Sequence, residues 1–177
     1  LPPYELNRQA PLTTDLAEHL SYYKDWRTTF DGDSFDFDYH CLVEFLYELT
    51  GYRLAKVLYQ DIVNFEELGL NGLVSCQNQR NYLPTALVMN VMAATLWNRN
   101  IAFDDIVEKT LKAQFGEDYK LVEDYLKTLA EYGCVEERHS ADNYGTKSVY
   151  SDEAKAKMEK SIEIIREFRN VITEKIT

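Results

Sequence analysis

The chain has 177 residues, 45% of them hydrophobic and 13% aromatic, enough apolar material for a substantial core, which excludes a disordered chain. Its 30 acidic residues against 19 basic ones leave a net charge of -11 with no cluster of Lys or Arg, so nucleic acid and anionic membrane surfaces are not expected partners. Cys41, Cys76 and Cys134 stand far apart without a CxxC pair, which argues against a disulfide framework and against a zinc site of the usual spacing.

Pro2, Pro3 and Pro11 mark an extended lead-in, after which Thr13 or Thr14 caps a helix reaching about Phe30, with Leu16, Leu20 and Tyr23 at helical spacing. "DGD" at 31–33 is a turn. The segment 34–40 then alternates Phe35, Phe37 and Tyr39 with Asp36, Asp38 and His40, the period of a strand. Residues 41–52 are open between a short helix and a loop with apolar anchors. Leu54, Val57, Leu58, Ile62 and Phe65 stripe a helix over 53–68, which Gly69 ends. "LNGLVSCQ", 70–77, reads as a second strand, apolar enough to be buried on both faces. Pro84 opens a helix to 97 that is apolar almost all round, with Trp97 expected in the core. Helices near 103–115 and 117–132 follow, then a polar loop over 134–150. A long helix from about Asp152 to Lys175, capped by Ser151, has Met158, Ile162, Ile165, Phe168 and Ile172 lining one apolar face.

The fold class is therefore α/β but predominantly helical. A strand, a helix and a second strand joined by about thirty residues imply parallel neighbours with a right-handed crossover. Two strands alone make no stable sheet, so either further strands come from elsewhere or the helices wrap the pair. The chain opens on "LPPYELNRQAPL" without Met and reads as a piece of a longer protein. No signal peptide or apolar run of membrane length is seen, and a cytoplasmic location is expected.

Parallel sheets carry their working residues at the carboxyl ends of the strands. Here those ends are Asp38-Tyr39-His40 and Cys76-Gln77-Asn78-Gln79-Arg80. Carboxylates beside an imidazole suit general acid–base work or hydroxyl binding; the alternative is a solvated face, or His40 held by a carboxylate as structural glue. Gln77 and Gln79 donate and accept at once, as sugar hydroxyls require, and Arg80 suits a substrate carboxylate, against the alternative that all three satisfy loop backbone. Asp38 and His40 lack a third partner, so no metal is expected. Cys76 lacks a base and reads as a buried inert thiol. With no phosphate-cradling glycine loop, GxSxG or HExxH, no cofactor is expected either.

The runs "GDSFDFDYH", "DIVNFEELGLNGLVSCQNQR", "LPTALVMNVMAATLWN" and "KAQFGEDYKLVEDYLKTL" resemble the C-terminal part of a bacterial glycoside-hydrolase-like family of unknown function. That family is related to α-glucuronidase and β-N-acetylhexosaminidase (β/α)8 barrels. The resemblance implies that 1–98 are the last βα units of a barrel and that 99–177 are an α-helical extension packed on it. Asp38, His40, Gln77 and Gln79, with Arg80, would then contact a carbohydrate substrate at the mouth. The acid and base of hydrolysis would lie on earlier strands, since two carboxyl groups must flank the bond. The chain would supply substrate contacts and closure to the remainder of its parent and be inactive alone. One departure stands out: Val43 and Phe45 occupy the places of a Trp and a second His, and only Glu44 keeps the acidic character. A different class of reading is a mainly helical protein-interaction module without carbohydrate binding, suggested by the excess of helices.

Overall fold

A computed structural model describes residues 16–41, 48–77, 82–133 and 151–176. The lead-in, its Thr caps, Glu44 and the 134–150 loop lie outside these residues. The described chain is predominantly helical, with two short strands. In order, α1 (Leu16–Arg27) leads to β1 (Asp36–Asp38), α2 (Tyr52–Leu68), β2 (Leu73–Ser75) and α3 (Leu87–Trp97). Then come α4 (Phe103–Phe115), a 3-10 turn (Gly116–Asp118), α5 (Tyr119–Tyr132) and α6 (Asp152–Ile176). The strands pair in parallel, with Asp36 opposite Leu73, Phe37 opposite Val74 and Asp38 opposite Ser75. Each is three residues long, shorter than the 34–40 and 70–77 that alternation suggested. Among the described residues, a single partner is all the pairing either strand has.

Helix α2 organises the core. Leu54, Val57, Leu58, Ile62 and Phe65 are buried as their spacing requires, against Leu87, Val88 and Val91 of α3 and Ile106, Val107 and Leu111 of α4. Val122 and Leu126 of α5 complete the cluster. At its end Gly69 takes a left-handed conformation (φ 70°), and Leu70 N–H donates to Phe65 O at 2.8 Å, closing the last turn. The start has no Ser, Thr, Asp or Asn cap. Gly51 is left-handed there (φ 73°), and the buried Glu48 reaches forward instead. Its carboxylate accepts from Thr50 N–H at 2.8 Å, Thr50 Oγ1 at 2.6 Å and Leu54 N–H at 3.4 Å. An anion here also faces the positive end of the helix dipole. Burial nevertheless raises the Glu48 carboxyl above its ordinary value, with those hydrogen bonds pulling it back down.

Three packing expectations are corrected. Strand β2 is not buried on both faces: Val74 is 49% exposed while Leu73 packs on the core. Helix α3 is apolar all round yet buries one face only, since a helix on the outside of a four-helix cluster has one neighbour layer. Trp97 is 92% exposed. On α6 the packed residues are Ser161, Ile164 and Phe168, with the Phe168 ring stacked on Tyr125 at 3.7 Å between centroids. Ile162 and Ile165 point away from the core.

Glu48→Ala leaves the Thr50 and Leu54 amides without their buried acceptor and should cost about 2–3 kcal/mol in urea denaturation. A loss below about 0.5 kcal/mol would show that water replaces the carboxylate there.

Candidate functional site

The alternation of 34–40 places Ser34, Asp36 and His40 on one face of β1 and Phe35, Phe37 and Tyr39 on the other. The polar face is the one turned inward. Ser34 is buried, and His40 is only 4% exposed just past the strand's carboxyl end. The His40 Nε2 lies 2.9 Å from Oδ2 of Asp61, a buried residue of α2. Asp36 adds a second carboxylate whose charge is felt by both His40 and Asp61. Burial raises the Asp61 carboxyl above the ordinary aspartate value of 3.8, the His40 bond and charge oppose the rise, and Asp36 adds to it. Burial also raises Asp36, against the pull of His40. The second oxygen of Asp61, Oδ1, is buried without a hydrogen-bond partner. An ionised carboxylate with an unsatisfied buried oxygen is costly, which is the physical reason burial moves the Asp61 carboxyl upward.

The residue after His40 ties β1 to β2. Burial pushes the Cys41 thiol up to about 11, against a hydrogen bond with Ser75, so Cys41 is no nucleophile near neutral pH. Cys76 is half-buried rather than enclosed.

The parallel register brings the carboxyl ends of β1 and β2 to the same edge of the molecule. Asp38 closes β1 opposite Ser75. Gln77, two residues past β2, is exposed and sends its Nε2 to 3.9 Å from Met92 Sδ of α3, while His40 is turned down onto α2. Gln79 and Arg80 fall outside the described residues. Asp61 is the member of this cluster that motif reading did not single out. Its signal was present: an acid at the core-facing position between Leu58 and Ile62 of an otherwise apolar stripe.

Chemically, a buried imidazole flanked by two raised carboxyls can hold and pass a proton, and it can equally fix the end of β1 to α2. No described helix is long and apolar enough to cross a membrane.

Comparison with family models, with curated proteins and with solved structures gives no match.

Asp61 has a higher pKa folded than unfolded, so between the two values the folded state holds more protons. Its contribution to stability is complete below about pH 4 and is lost as pH rises through the raised value. Asp61→Asn keeps an oxygen that accepts from His40 Nε2–H and cannot ionise. Denaturation midpoints measured from pH 4 to 7 should decline less steeply in Asp61→Asn than in the unsubstituted chain; parallel declines would remove Asp61 as their source.

Proposed function

We propose that this chain is the closing segment of a glycoside-hydrolase-like, carbohydrate-active protein, supplying the last parallel strands of a (β/α)8-type barrel and a helical extension. The observation that carries this reading is the bare face of the strand pair. Phe37 is 54% exposed, its register partner Val74 is similarly open, and Phe35 extends the patch. An aromatic strip on a two-stranded parallel sheet is incomplete in itself: parallel sheets are covered on both faces and rarely stop at two strands. Further strands beside β1 and β2 would bury those rings inside a barrel.

In that assembly Asp38, Gln77, Gln79 and Arg80 line the mouth at the carboxyl ends of the strands and contact a sugar. His40 works from beneath, held by Asp61, as a positioning group for the end of β1. Hydrolysis itself needs two carboxyl groups flanking the glycosidic bond, and these belong to other strands of the parent. The chain alone should be catalytically silent.

A second reading, a helical interaction module, is favoured by one separate feature. Trp97 lines an open groove of about 500 Å³ between α3 and α4, together with Ala93, Ala94 and Ile106.

Two measurements separate these. Aryl glycosides incubated with this chain alone should release no phenol above the blank; robust turnover would overturn the division of labour. In the full-length protein, His40→Ala with Gln77→Ala should weaken sugar binding by at least about tenfold. Unchanged sugar affinity, with Trp97→Ala abolishing capture of a protein partner, would instead establish the module.

A further inference from the structure

The terminal helix carries a second apolar seam that the other described residues leave partly open: Ile162 and Ile165 are exposed, and Met158 and Ile172 half-buried. Met158, Ile162, Ile165, Arg169 and Ile172 recur at alternating intervals of four and three, the a/d spacing of a coiled coil. Ile162 is 47% and Ile165 41% exposed, while the neighbouring seam of Ser161, Ile164 and Phe168 packs on α5. With Ile162 at a and Ile165 at d, the flanking e positions are Glu159 and Arg166, of opposite charge and both exposed. The g positions, Ser161 and Phe168, are already committed to the chain's own packing.

We propose that this seam docks a second copy of the same chain, with the two α6 helices antiparallel. The orientation follows from the flanks. A parallel pair sets e against g, and here g is turned to α5. An antiparallel pair sets e against e, so Glu159 of each copy meets Arg166 of the other, twice over by symmetry. Ile162 then packs across from Ile165 at the two-fold axis, and Met158 across from Arg169, whose aliphatic stem covers the thioether while its guanidinium reaches the Glu159 side. The seam spans about two heptads with Arg169 at one a position, short of the three to four of a stable coiled coil, so the dimer is weak and concentration-dependent. This inference is independent of the carbohydrate reading.

Sedimentation of the 177-residue chain over a concentration series should move from the mass of one chain to that of two. Ile162→Glu with Ile165→Glu should hold it at one chain with its circular dichroism and melting temperature kept, because both side chains lie off the core. Glu159→Arg alone and Arg166→Glu alone should each weaken the dimer about tenfold or more, and the two together should restore it. A chain that stays single at every concentration, a dimer indifferent to the Ile substitutions, or a double charge swap that restores nothing would each overturn the proposal.

Discussion

The contact on which the arrangement of the strands depends is the one between His40 and Asp61. It joins the end of β1 to the middle of α2, twenty-one residues along the chain, at 2.9 Å in a buried setting. Helix α2 is also central to the core, packing on α3 and on α5. Its start is held by Glu48, its end by Gly69, and its apolar stripe by α3 and α4. Tyr23 of α1 donates to Leu68 O at 2.5 Å, and Asn71 N–H donates to Ser34 O at 2.7 Å, so the far end of the same helix is stitched to the entrance of β1. β1 is thus fastened to α2 at both ends, by backbone at one and by an ionisable pair at the other.

That fastening decides which way the strand faces. Side chains alternate along a strand, so a shift of one residue would exchange the two faces. With the polar face inward, Ser34 receives Arg27 Nη1 at 3.2 Å and His40 finds Asp61. The aromatic residues are left outside, where Phe37 and Tyr39 meet edge to face with 5.0 Å between centroids.

Much of this was legible in the residues. The stripe of α2, the glycine that ends it, the helices on either side of Gly116 and the parallel relation of the strands all follow from period and connection length. What failed did so for a common reason: apolar content does not say which neighbour exists. Val74 and Trp97 are hydrophobic and exposed because no described element covers them, and Ile162 and Ile165 belong to a seam that α5 does not reach. Asp61 was hidden by the opposite error, in which an apolar stripe was read for its Leu and Ile and the acid between them passed over. The face of β1 that turns inward could not be read from alternation, because both faces carry groups able to be buried, one by apolar transfer and one by pairing.

The energies of those two options bear on why the polar face of β1 is the one turned inward. Phe35, Phe37 and Val74 are already partly covered, so turning them into the core would gain only a part of the about 1.5–3 kcal/mol that full burial of each is worth. A hydrogen bond to a charged group is worth about 1.5–3 kcal/mol net, and here it must also offset the desolvation of Asp61 and Asp36. Turning His40 outward would leave the Asp61 carboxyl buried without its one partner among the described residues, which is what holds the polar face inward. The inward histidine and the outward phenylalanines are two sides of one constraint, the strand register that the His40–Asp61 pair fixes.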